Sequence, residues 1–537
     1  MENRVWWRFF VHRTALCYFL LILLFFTGFL RVAVIARDDY TEALKSHGRL
    51  KMEISSLRGT VYDCNMLPLT NTKIKIVACV TPTNSAKTAI SAVLEGEELK
   101  DLLTRLSHGK PVMCEVPEIV DSDGIYCTTI YYDDTTVLAP HTVGYVNNDN
   151  KGVSGIQAAF DKLLYSNKSA NFTFSCDGLG NILEGIDPEI NNDSSVVANG
   201  VVTTLDYNIQ SIIEETANPL NRGAIVVADA ETLKIRGIVS RPNFDNLNIS
   251  EFLNDASSPL FNRAINCYAV GSCFKPCIAA AAIENGLINT TYNCVGNMQI
   301  IDRSFNCHNR LGHGSLNLEY ALANSCNTYF FNLALKTGAD SVFKMADALH
   351  FGHKIRLCDG IYTAEGTIPT LLKLQNDAHL ANFSIGQGDF TASPVSMLTL
   401  YSAIANGGKY YMPSLVEGTY ESGSLKKYDV GYPTKAMDSK TADCIKAYLQ
   451  TVITEGTGGA AQPKTVTAAG KTATAQTGKF ENGREILSSW FCGFFPADKP
   501  KYIIIVFCEN SSLQSESCAE IFSKTADEIA QIKKSNT

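Results

Sequence analysis

The sequence lacks the basic excess that a phosphate backbone calls for. Its 46 Lys and Arg against 54 Asp and Glu give a net charge of -8, and no long basic block follows the N-terminus, so no nucleic acid is expected as a partner. It also lacks paired Cys-x-x-Cys sets at structural zinc spacing, although it holds 17 cysteines, so no metal is expected. An odd count excludes a fully paired disulfide framework. Cys294 and Cys307 bracket one short Gly- and Asn-containing loop and make the best-placed disulfide pair; the alternative is that most cysteines are buried free thiols. His308 and His313 in the same stretch suggest a metal site, but the preferred reading is a structural loop leading into a helix.

What is present begins with length: 537 residues at 45% hydrophobic content suffice for two or three globular domains. From Ala15 to Leu30 every residue is apolar or small except Thr27, and after Arg31 the run resumes from Val32 to Ala36. If Arg31 snorkels to the headgroups, the stretch spans a bilayer core of roughly 30 Å. Arg4, Arg8 and Arg13 precede it and Trp6 and Trp7 suit the interface, so a single anchor with a cytoplasmic N-terminus is expected, everything beyond it lying outside. Basic residues on the far side (Arg37, Lys45, Arg49, Lys51) weaken the orientation argument. A cleaved signal ending at Val34-Ile35-Ala36 is the alternative.

Four segments are expected: a tail over 1–13, the anchor over 14–36, a strand-rich non-catalytic region over 37–200, and a larger domain over 201–537. In the third, Lys73 to Val77 and Gly124 to Tyr132 alternate as strands do. In the fourth, Asn208 to Ala217 is patterned as an amphipathic helix, Gly223 to Asp229 as a strand, and Lys234 to Ser240 as its hairpin partner. Thr465 to Thr474, Ser488 to Phe495 and Tyr502 to Cys508 give three more strands, followed by a helix from about Gln514 to Ile532. Strands at both ends with helices between argue an α/β (α+β) domain, an antiparallel sheet covered by helices.

One constellation carries chemistry. Gly271-Ser272-Cys273-Phe274-Lys275-Pro276 opens an Ala-rich helix, and Ser272 and Lys275, three residues apart, share a face. A desolvated amine there can take the serine proton, while the helix N-terminus favours developing negative charge. The spacing recurs at Ser107/Lys110, Ser341/Lys344 and Ser424/Lys427, so order and context decide. Ser325-Cys326-Asn327 follows at the start of another helix, offering a hydroxyl relay and an amide, and Ser169-Ala170-Asn171 is its decoy. Lys471-Thr472-Ala473-Thr474 then arrives in a Thr- and Ala-rich strand, where Lys471 and Thr472 suit a substrate carboxylate.

Ser-x-x-Lys, Ser-x-Asn and Lys-Thr-Gly in that order resemble the signature of penicillin-binding proteins and serine β-lactamases. Arg58 to Asp63, Asn262-Arg263-Ala264, Gly386-Gln387-Gly388, Ala405 to Gly408 and Trp490 to Pro496 narrow the resemblance to class B penicillin-binding proteins, with their transpeptidase fold and N-terminal pedestal. The resemblance implies a D,D-transpeptidase acting on peptidoglycan stem peptides, whether on lipid-linked precursor or nascent glycan, without a cofactor and acylated by β-lactams. It makes Ser272 the nucleophile, Lys275 the base, Ser325 the proton relay and Asn327 a substrate contact. Lys471 and Thr472 would hold the terminal carboxylate, and the N–H groups of Ser272 and Thr474 would form the oxyanion hole. A polytopic glycan polymerase in the membrane is the implied partner.

Three departures qualify this. Lys471-Thr472-Ala473 replaces Lys-Thr-Gly, while the intact Lys336-Thr337-Gly338 sits in a helical pattern with Gly338 as its C-cap. The methyl of Ala473 is expected to lie where substrate passes, so Ala473→Gly is expected to speed acylation. Gln157 stands where the family has Glu, and Cys64-Asn65-Met66 replaces Arg-Asn-Gly. Two rivals remain: a catalytically weakened scaffold for the polymerase, and a carboxypeptidase or β-lactamase-like hydrolase, for which no separate general base is visible.

Overall fold

The computed structural model describes residues 2–37, 48–481, 483–509 and 515–535. Helix α1 (Glu2–Arg37) contains an apolar stretch, Val11–Val34, long enough to cross a membrane and with none of its surface buried by the rest of the protein. The chain forms two compact units, and compactness divides it differently from a single cut near residue 200. The smaller unit takes 1–56, 75–130 and 169–192, and the larger takes 57–74, 131–168 and 193–537.

The smaller unit has a modest core. Ala78, Val80, Val112, Val116 and Ile125 come from a three-stranded sheet, and Ala86, Ile90, Leu102 and Leu106 come from the helices Asn84–Ile90 and Gly96–Leu106. Thr83 caps the first of these helices by accepting from the Ala86 N–H.

The larger unit reaches back for 57–74 because strand Thr60–Tyr62 pairs in parallel with Gly200–Thr203, which in turn pairs with Val416–Glu421. Arg58 ends the strand Arg49–Arg58, one residue before this strand. Its guanidinium, almost fully buried, donates to the Gln157 side chain at 2.6 Å and pairs with Asp161 at 2.8 Å. Asp161 therefore supplies the counter-charge that Gln157 lacks.

At the centre of this unit lies a five-stranded antiparallel sheet. Helix α2 (Tyr207–Thr216), capped by Asp206, leads into β1 (Gly223–Asp229) and β2 (Ile235–Arg241). The turn Gly271–Phe274 continues as α3 (Lys275–Glu284), followed by α4 (Asn327–Thr337) and α5 (Pro394–Ala405). Strands β3 (Ala469–Glu481), β4 (Arg484–Phe495) and β5 (Tyr502–Cys508) and helix α6 (Ser515–Ser535) complete it. The strand order β2-β1-β5-β4-β3 leaves β3 at an edge.

Both faces of this sheet are covered, which is why the inner strands β1 and β5 are apolar nearly without interruption while the edge strand β3 is not. Ala224, Val226, Trp490, Cys492, Ile503, Ile505 and Phe507 face one core together with α3. Ile225, Val227, Phe491, Ile504 and Val506 face the other, with Ile209 and Ile213 of α2 and Ala519, Phe522 and Ala526 of α6. The expected antiparallel sheet under helices is thus the observed architecture. All 17 cysteines are free thiols, as the commoner reading of the sequence had it, and the best-placed pair, Cys294 and Cys307, is not bridged.

Candidate active site

Gly271–Phe274 forms a tight helical turn that runs directly into α3. Pro276 falls in the first turn, where its missing N–H is no loss, and Cys277 to Ala282 are buried on every side, so α3 is a central helix rather than a surface one. The preceding chain is clamped from several directions. Trp490 Nε1 donates to Ala269 O at 3.0 Å, the Gly271 N–H donates to Gly386 O at 2.9 Å, and the Tyr401 hydroxyl donates to Cys273 O at 3.1 Å. A nucleophile on such a turn is held by packing, not by its own contacts: among the described residues the half-buried Ser272 hydroxyl makes no hydrogen bond.

Lys275 is fully buried. Its Nζ donates to Ser325 O at 2.6 Å and to Asn327 Oδ1 at 2.8 Å, and lies 3.2 Å from the Ser325 hydroxyl. Burial, reinforced by the nearby Lys471 ammonium, pushes the amine well below the ordinary lysine value of 10.5. A neutral amine has two N–H groups and one lone pair. The carbonyl and the amide oxygen use the two donors, which leaves the lone pair for a hydroxyl. Ser325 reaches this position with a left-handed φ of +52°, a strained conformation for a non-glycine residue, just before Cys326 caps α4. The first two motifs therefore meet through one amine.

The third motif lies alongside. Cys273 Sγ is 3.1 Å from Lys471 O, and a Cβ placed on Gly271 would lie 3.3 Å from Thr474 O, so β3 runs against the nucleophile turn. Lys471 is also fully buried, its Nζ donating to Thr472 O at 3.1 Å, and burial lowers it to about 8. The Thr472 and Thr457 hydroxyls are 3.0 Å apart, and Thr474 is exposed. Because β3 is an edge strand, alternate N–H and C=O groups along it have no strand partner.

The methyl of Ala473 is not in the cleft. Side chains alternate along a strand, and Ala473 shares the inward face with Lys471. It is 3% exposed and packs where it would be 3.4 Å from a Cβ at Gly271. The expectation that it obstructs substrate is corrected accordingly.

Ser272, Lys275, Ser325, Asn327, Lys471, Thr472 and Thr474 thus converge on one end of α3. The decoys do not join them: Ser107 ends the helix Gly96–Leu106, the Ser341 hydroxyl donates to Asn285, Ser424 lies exposed on a strand, and Lys336-Thr337 ends α4 with Gly338 as its C-cap. Sequence reasoning gave no role to Tyr401 or Thr457, which carry no local pattern, and read Cys273 as a packing residue. Gly386 and Trp490 lay in quoted motifs, but their contacts were not foreseen.

Residues 223–527 match the model of the penicillin binding protein transpeptidase domain. Stage V sporulation protein D of Bacillus subtilis is 26% identical over 519 residues, covering 89% of this chain and 78% of that protein. The peptidoglycan D,D-transpeptidase MrdA of Acinetobacter baumannii is 28% identical over 434 residues, covering 71% of this chain and 63% of that protein. Among solved structures, the D,D-transpeptidase domain from Eggerthella lenta superposes with a TM-score of 0.65 at 24% identity over 89% of this chain and 99% of that one. A penicillin-binding protein (PBP2) of Helicobacter pylori, solved in complex with MreC, gives 0.64 at 20% identity over 90% and 99%. With the motifs in order, the family model covering more than half of the sequence and the fold in agreement, this chain belongs to the class B penicillin-binding proteins.

Proposed function

We propose that this chain is a serine-type D-Ala-D-Ala transpeptidase that cross-links peptidoglycan stem peptides. The observation that carries the reading is the Lys275 amine: buried, depressed toward neutrality and hydrogen-bonded to both Ser325 and Asn327, one turn beyond Ser272. Ser272 Oγ attacks the carbonyl of the penultimate D-alanine and its proton passes to Lys275 Nζ. The oxyanion is held by the N–H groups of Ser272 and Thr474. The amide C–N bond breaks, the proton returns through the Ser325 hydroxyl to the leaving amine, and terminal D-alanine departs. An amine of a neighbouring stem peptide then attacks the ester, forms the cross-link and releases Ser272. Asn327 orients the stem-peptide amide, and Lys471 and Thr472 hold the terminal carboxylate.

A β-lactam acylates Ser272 by the same attack, so a fluorescent penicillin tests the reading. The label is expected on wild type, with the added mass on the peptide containing Ser272. No adduct, or one on Ser107, Ser341 or Ser424, rejects the assignment and favours the scaffold reading.

The stem-peptide substrate lies outside the cytoplasm, which places residues 37–537 there behind the α1 anchor. A polytopic glycan polymerase is the proposed membrane partner, met through the anchor and residues 37–200. Protease added to intact protoplasts is expected to digest the bulk of the chain; complete protection would reject this topology, and an N-terminus at Arg37 would indicate a cleaved signal.

Ala473→Gly should not accelerate acylation, because its methyl is buried against the Gly271 turn and not open to solvent. Loss of that contact and the added backbone freedom should instead lower stability by about 1 kcal/mol. Paired thermal melts and acylation rates decide; a faster rate at unchanged stability would return the methyl to the substrate path.

A further inference from the structure

Beside the site, next along the chain from Ser325, three thiols and one imidazole converge. The donor atoms of Cys294, Cys307, His313 and Cys326 all lie within 4.8 Å of one another. Cys294 ends the short strand Tyr292–Cys294, Cys307 follows the strand Arg303–Asn306, His313 precedes the strand Gly314–Leu316, and Cys326 caps α4. The three cysteines are buried and His313 half-buried.

We propose that these four residues form a tetrahedral zinc site. The distances are those the ion demands. Zn–S bonds of about 2.3 Å and Zn–N bonds of about 2.0–2.1 Å at tetrahedral angles put the donors about 3.5–3.8 Å apart. His313 Nδ1 is 3.6 Å from both Cys294 Sγ and Cys307 Sγ, and Cys307 Sγ is 3.9 Å from Cys326 Sγ. Four donors, three of them thiols, suit a soft borderline cation and leave no open position, as in structural rather than catalytic zinc sites.

The surroundings fit thiolates. As the dication enters, the three thiols release their protons to solvent, and with neutral imidazole the site carries one net negative charge. Donors are already aimed at that charge: the Thr328 hydroxyl at Cys294 Sγ at 3.0 Å, the main-chain N–H groups of Asn309 and Asn327 at Cys307, and that of Tyr329 at Cys326. The loops permit no loose fit. Gly312, at φ +86°, brings its Cα so close to Cys294 O that a Cβ would lie 2.3 Å from it, and a Cβ on Gly296 would lie 2.0 Å from Arg310 O. A disulfide would use two of the four donors and leave His313 without a purpose. Since Cys326 lies between Ser325 and Asn327, the ion would lock the loop that holds Lys275.

The test uses the full chain in detergent, purified without an affinity metal or chelator and with reductant present. Elemental mass spectrometry should find about one zinc per chain, falling at least tenfold in Cys307→Ser and His313→Ala. His308→Ala and Cys444→Ser should keep the metal. Cobalt exchanged for zinc should show the intense visible bands of a tetrahedral thiolate site. If Cys307→Ser does not fold, the wild type still decides: removing the ion with a strong chelator should open Cys294, Cys307 and Cys326, mapped by peptide mass, to alkylation. A chain without zinc that takes up no cobalt overturns the proposal. So does a disulfide among these cysteines, or an alkylation pattern that the chelator leaves unchanged.

Discussion

Lys275→Ala is expected to slow acylation of Ser272 by a β-lactam roughly a thousandfold, the middle of the range for removing a general base and worth about 4 kcal/mol of barrier. Ser272→Ala should abolish the adduct altogether. The size follows from the site: among the described residues no second amine stands where Lys275 does, Lys471 being engaged with its own strand. Removing the amine also leaves Ser325 O and Asn327 Oδ1 without their donor, so some loss of stability is expected. Thermal melts of both variants separate that loss from the chemical one, because Ser272→Ala removes no buried contact. The pH profile gives an independent reading. A base works only unprotonated, so the rate should climb as pH rises through the depressed value of Lys275. An anchor for a carboxylate works only protonated, so the rate should fall again as pH passes about 8, where Lys471 loses its charge. A thousandfold loss that is pH-independent would point to collapse of the turn rather than loss of a base.

Periodicity made much of the larger unit legible. The pattern over 223–229 and 502–508 gives strands whose bounds the structure reproduces, and α2 and α6 shift by only one to three residues. Strand β3 runs to Glu481, past the expected Thr474, because its partner β4 begins at Arg484 and the two close a hairpin that no apolar alternation announces. The interleaved units were not legible, since the partner of Thr60–Tyr62 lies about 140 residues away along the chain and that strand's own second partner about 215 residues further on, and only the fold brings them together.

The site divides in the same way. Motif order identified the residues around Lys275, but the inward face of Ala473 followed from period two and a buried Lys471, an inference that required knowing which face was covered. The Cys-His cluster was half-seen: the stretch with His308 and His313 suggested a metal site and was read instead as a structural loop, for a plain reason. Its members stand 13, 6 and 13 residues apart, with none of the short pairs by which zinc sites are recognised, and three strands and a helix cap are needed to assemble it.

Gly386→Ala should cut the acylation rate about a hundredfold, the cost of a displacement of about 1 Å at a reacting centre. Gly386 has a φ of +69°, and its carbonyl accepts from the Gly271 N–H. A Cβ on it would lie 2.2 Å from Gly271 O and 2.9 Å from both Gly271 C and N. These are main-chain atoms, so no side chain can rotate away, and restoring ordinary contact means moving one backbone by about 1 Å. Gly271 is itself pinned by β3, since a Cβ on it would already touch Ala475 and Ala473, and the residue after it is the proposed nucleophile. Gly388→Ala supplies the control. It has a comparable left-handed φ of +77°, so it bears the same conformational penalty of about 1–2 kcal/mol, but its Cβ would meet only the Asn382 Cβ, at 3.5 Å. Gly386→Ala should therefore melt below Gly388→Ala by the cost of that displacement, and only Gly386→Ala should lose its rate of penicillin acylation at temperatures where both variants are folded. Equal rates would show that the 386–388 loop yields instead of the Gly271–Phe274 turn, and that β3, Trp490 and Tyr401 suffice to hold Ser272.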